Sequence, residues 1–183
     1  MVVMLNEEKH GTGARTVNNW IERLLAIDWY KQAGQQQEGA VEKVNQFMRT
    51  LGVNEYEVKW LSKNQVSDAI QRLTFEGSNL WIILEKVPDQ LKAKVNEAGN
   101  ESLLEKVVDV VPEAVFHNVF VRAFHTFGEE KTVQFLVGHA MYVSILICTA
   151  VLAEEPNLFL PIVELLEAGY LPLGTEGNTF YLV

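Results

Sequence analysis

The sequence has a single cysteine, few prolines and, beyond Asn100, almost no positive charge. One thiol, Cys148, cannot form an internal disulfide. Its apolar neighbours mark it as a buried free cysteine, which points to a reducing, cytoplasmic setting. Through Asn100 there are 12 basic against 13 acidic residues, and from Glu101 onward 3 against 11. In that second stretch only Lys106, Arg122 and Lys131 are positive. A surface with net charge −9 favours solubility and repels phosphate backbones, so no nucleic-acid partner is expected. The first residues, Met1 to Lys9, lack the basic start and longer apolar core of an export signal.

Catalytic signatures are missing as well. There is no Gly-x-Ser-x-Gly and no His-Glu-x-x-His, and the helical stretch from Pro112 carries no Glu-x-x-His. His10-Gly11-Thr12-Gly13 precedes a helical pattern but follows no strand and lacks the Gly-Lys-Ser/Thr of a phosphate loop. The acidic pairs Glu7-Glu8, Glu129-Glu130 and Glu154-Glu155 are adjacent, so on a helix their side chains diverge. Lys59 to Arg72 has some helix-turn-helix flavour, but Asp68, Glu55, Glu57 and Glu76 leave it no basic face. The sequence assigns no catalytic residue, no metal ligand and no particular cofactor.

What is present is a chain of 183 residues, 48% hydrophobic and 21% charged, enough for one core without a staple. Residues 1–15 carry no hydrophobic period and read as a flexible arm; residues 16–183 read as one helical domain ending in a β-hairpin over 170–183. Helical spacing predicts helices from Val17, capped by Thr16, to Gln32 and from Glu38 to Thr50. Tyr56, Val58 and Trp60 alternate with charges, as in a strand, although a helical turn fits the same window. Ser62 and Gln65 suit a capping box for a helix to Phe75. Leu80 to Lys86 is helical by spacing, and Pro88 is placed to start a separate helix that Gly99 stops. Leu103 to Val110 follows. Pro112 then opens a helix to Phe127, with Phe116, Phe120, Phe124 and Phe127 as its core face and Asn118, Arg122 and His125 as its solvated face.

The most apolar stretch, Val133 to Ala153, reaches the length of a membrane span. Its acidic flanks argue against one, and a helix apolar on every face is expected at the centre of a bundle. The fold expected is mainly α, a multi-helix bundle around this one apolar helix, with a small C-terminal β-hairpin. Pro172 confines the hairpin's first arm to a sheet edge. A lone hairpin is marginal in water, so it must lie on the helices or pair with the Tyr56–Trp60 segment.

The central helix carries one imidazole, His139, with Tyr142 a turn away. A buried imidazole needs a partner. If the chain turns back at Gly128, His125 and Arg122 could meet His139 and Tyr142 in a polar pocket within an apolar shell, the usual form of a ligand site. The function expected is that of a non-enzymatic cytosolic helical module binding a small apolar ligand or a partner protein, with a homo-oligomer compatible. A second reading is an enzyme whose site is assembled from Arg122, His125 and His139. A third is a membrane-associated protein using Val133–Ala153.

Overall fold

The computed structural model describes residues 3–73 and 79–183, residues 79–84 by their backbone alone. Helix α1 spans Glu7–Leu25. It starts ten residues before the position the sequence suggests, because Asn6 caps it by accepting from the Lys9 N–H at 3.0 Å. The glycine-rich start is accommodated by a kink at Gly11 (φ 61°, ψ −141°), a backbone conformation that favours glycine. Thr16, expected as the cap, lies inside the helix and returns its hydroxyl to the Thr12 carbonyl. The segment expected as an arm is packed: Leu5 is buried, and its N–H and carbonyl both bond the side chain of buried Asn18, at 2.8 and 3.0 Å. The helix ends at Leu25, well before Gln32. The following loop buries Ile27, Trp29 and Tyr30.

Helix α2 spans Glu38–Thr50, the range its apolar stripe predicts, with Val44, Phe47 and Met48 buried. Strand β1 is Glu57–Trp60. Helix α3 covers Val66–Arg72 with Gln65 as its N-cap and no side-chain cap bond; the Gln65 side chain reaches back to the Ser62 N–H at 3.0 Å, half of the expected capping box, but the Ser62 hydroxyl donates to Gln65 rather than capping the helix. The end predicted for this helix, residues 74–75, lies outside the described residues. Helix α4 runs Asn79–Glu97 straight through Pro88, and α5 runs Glu101–Phe127 through Pro112. Neither proline opens a new helix as the sequence suggested. A proline's φ suits a helix, and the hydrogen bond it removes is outweighed in α5 by burial of Val107, Val111 and Val115 on both sides of the break.

Gly128, left-handed at φ 72°, ends α5, and α6 (Glu130–Leu152) returns along it. The α5–α6 pair is the most extensive helix contact in the fold. Helix α6 is the buried apolar centre of the bundle, contacting α1, α3, α4 and α5. Leu136, Ala140, Ile147 and Cys148 are sealed from solvent, and buried Ser144 satisfies itself on the Ala140 carbonyl at 2.8 Å. Burial pushes the Cys148 thiol up to about 12, so it stays protonated and inert. Among the described residues α6 is also the one helix long and apolar enough to cross a bilayer, yet 56% of its most apolar stretch is buried inside the protein.

A 3-10 turn at Pro156–Leu158 leads into α7 (Leu160–Glu167). Strands β2 (Pro172–Glu176) and β3 (Thr179–Leu182) then form the expected hairpin. Strand β3 also pairs in parallel with β1, Lys59 opposite Tyr181, giving the order β1-β3-β2. The Tyr56–Trp60 segment is therefore a strand, and Pro172 sits on an edge. The hairpin gains its stability from this third strand and from burial of Leu173, Phe180 and Leu182.

Candidate interaction surface

Helix α5 has apolar residues all round. One stripe, Leu103, Val107, Val111, Ala114, Val115, Val119 and Ala123, is buried. These are mostly small or β-branched side chains, which let α6 approach closely. The larger aromatics are thereby turned outward. Phe116 is 46% exposed, Phe120 40% and Phe124 54%. The expected assignment of faces is thus reversed for these three rings, while Phe127 does turn inward, edge-on to Tyr30 at 5.3 Å.

Residues four apart lie nearly in line on a helix, and the three rings stack as a ladder, with centroids 5.6 Å and 6.1 Å apart and 20° between successive planes. A phenylalanine has on the order of 200 Å² of surface, so the ladder leaves roughly 280 Å² of aromatic surface open. Covering it would be worth on the order of 7 kcal/mol before the costs of association. Val108 on the same helix and Tyr142 on α6 are each 49% exposed and add to the apolar outer surface. Glu113 and Asp109 continue the line of the ladder toward the helix start, about two and three turns before Phe120.

On the face of α5 expected to be solvated, Arg122 and His125 are exposed, while half-buried Asn118 docks the end of α1. The Asn118 amide donates to the carbonyls of Leu25 and Ile27 at 3.2 and 3.4 Å, satisfying acceptors that the end of a helix leaves open. Arg122 forms an ion pair with Asp28 at 3.1 Å. His125 is exposed and lies edge-on to Phe124, with centroids 6.2 Å apart.

His139 is held elsewhere. Its ring stacks on Phe135, 5.9 Å away and nearly parallel, and Nε2–H donates to the Pro172 carbonyl at 2.7 Å. Burial pulls its pKa below the ordinary value, and the bond to Pro172 opposes that only in part. The four sequence candidates are therefore dispersed: Arg122 beside the end of α1, His125 beside the aromatic ladder, His139 on α6 bonded to the start of β2, and Tyr142 on the outer side of α6. Among the described residues no hydrogen bond or ion pair joins His139 to His125 or Arg122, and His139 Nε2 is taken by the Pro172 carbonyl.

A cleft of about 570 Å³ lies between β1 and α3, lined by Lys59, Trp60, Asp68, Arg72 and Tyr181 among others. Glu57, Lys59 and Arg72 among its charges are engaged within the protein. Lys59 pairs with Glu57 at 3.7 Å, Arg72 with Glu176 at 3.5 Å, and the Tyr181 hydroxyl donates to Glu176 at 2.7 Å. The buried indole N–H of Trp60 has no partner among the described residues. Among the described residues no three His, Cys, Asp or Glu side chains gather closely enough to hold a metal ion.

The aromatic ladder is the feature that sequence reasoning placed on the wrong side. The signal was available in the second, complete apolar stripe from Leu103 to Ala123, whose smaller members suit a tight helix contact better than four phenylalanines do. Compared with known families, characterised proteins and solved structures, the chain has no match.

Proposed function

We propose that this protein is a non-enzymatic interaction module that binds a partner protein through the aromatic ladder of α5. The observation that carries the reading is the row Phe116, Phe120, Phe124, stacked and about half exposed on a helix whose buried stripe is already complete. Contiguous exposed aromatic surface on an otherwise well-packed protein favours an interaction face, and aromatic side chains are the usual anchors of such faces. Two features favour a protein over a bilayer as the occupant. The net charge is −9, and Glu113 and Asp109 extend the same strip, where an anionic lipid surface would repel them. The bond from His139 Nε2 to the Pro172 carbonyl favours this reading over a small-ligand site built on His139.

The test is photocrosslinking in the producing cells with a benzophenone side chain in place of Phe120, and a control probe at exposed Glu22. Protein adducts specific to position 120 are the expected result. Lipid adducts alone, or the same adducts from both positions, would overturn the reading.

A further inference from the structure

We infer that the partner segment is a basic amphipathic helix, its apolar part on the ladder and its lysines or arginines over the acidic first half of α5. The inference rests on the interaction face proposed above and adds the chemistry of its occupant. It follows from what shares the ladder's face. At about 100° per residue, Glu105, Asp109, Glu113, Phe116, Phe120 and Phe124 fall within one sector of about 100°. All six are exposed. Lys106, at the rim of the sector, is its only lysine or arginine. Among the described residues none of the three carboxylates takes part in an ion pair or a side-chain hydrogen bond.

A partner seated on the rings also covers Glu113, a turn before Phe116, and Asp109, a turn earlier still. Taking carboxylates out of water is costly unless cations meet them. An acidic partner would be repelled, and a neutral one would leave the carboxylates covered and uncompensated. Basic side chains suit the rings as well, whose faces attract cations. The shape of the strip is that of a helix contact. From Glu105 to Phe124 it is about 29 Å long and one helix face wide. A second helix covers such a strip with side chains at i, i+3, i+4 and i+7.

Photocrosslinking in the producing cells tests this with probes at two positions, Phe120 in the ladder and exposed Ser102 in the acidic half. Both should capture the same protein, and mass spectrometry of the adducts identifies the segment bound at each. Lysine and arginine should outnumber aspartate and glutamate in the segment held at position 102, and apolar residues should dominate at 120. Neutralising the strip with Glu105→Gln, Asp109→Asn and Glu113→Gln should lower the adduct yield at position 120 roughly tenfold. The purified variant should keep its helical circular dichroism.

Different proteins at the two positions, a segment at 102 without a basic excess, or a yield that neutralisation leaves unchanged would overturn the basic helix and leave the interaction face standing. Should the neutralised chain fail to fold, the captured segments, read from the intact acidic strip, decide alone. Lipid adducts alone at position 120, or no adduct, would refute both.

Discussion

His139 on the central helix donates through Nε2 to the carbonyl of Pro172, 2.7 Å away, at the first residue of the C-terminal hairpin. This bond ties helix to sheet. Because burial lowers the imidazole's pKa, the folded protein binds the proton less readily than the unfolded chain does. Stability from this group is therefore complete above the ordinary histidine value of 6.5 and declines as pH falls below it. Thermal unfolding at pH 7.5 and 5.5 should show a larger loss in wild type than in His139→Gln, which keeps a donor but does not titrate. Equal losses would remove His139 from the acid response.

The buried position of α6 predicts a large cost for thinning it. Leu136 is fully enclosed, and its carbonyl accepts from the buried Tyr30 hydroxyl at 3.2 Å. Leu136→Ala should cost about 2–5 kcal/mol in urea unfolding. Gln134→Ala, two residues away on an exposed position, should stay within about 0.5 kcal/mol. Similar values for the two would contradict the central placement of the helix.

Asn118 closes the end of α1 from across the bundle. Asn118→Leu leaves the carbonyls of Leu25 and Ile27 without this donor and should cost about 1–3 kcal/mol. Chemical denaturation of the variant checks this. A change below 0.5 kcal/mol would mean that solvent replaces the amide fully.

Gly169 holds the loop after α7 against the loop after α1. At φ 92°, a Cβ there would stand 2.9 Å from the Cβ of Lys31 and 3.2 Å from the Gln32 nitrogen, whose N–H donates to the Gly169 carbonyl. Gly169→Ala combines a strained backbone with a clash against the Lys31 Cβ and should destabilise by more than about 1 kcal/mol. An unchanged melting temperature would show that these loops separate at little cost.

Where one pattern dominated a segment, the sequence was enough. The α2 range, the apolar α6 and the hairpin with its edge proline follow from periodicity and turn chemistry. Alternation at Tyr56–Trp60 pointed to β1, although only pairing with β3 separates a strand from a turn there. Local patterning misled where tertiary contacts decide. Pro88 and Pro112 look like starts, but packing carries both helices through them. Residues 5–15 look unstructured because the partner that orders Leu5 is Asn18, a polar residue that no hydrophobic period counts. In α5 two apolar stripes competed, and the one that allowed close approach to α6 was buried. The candidate site was illegible for the same reason: what marks it is which stripe was left outside.

The aromatic ladder is tested most directly by hydroxyl-radical footprinting read at Phe116, Phe120 and Phe124, comparing the protein inside its producing cells with the purified chain. A docking face that takes a partner protein predicts strong protection of all three rings in the cells, while exposed Tyr142 on α6 reacts equally in both. Rings oxidised to the same extent in cells and in the purified chain would contradict the account.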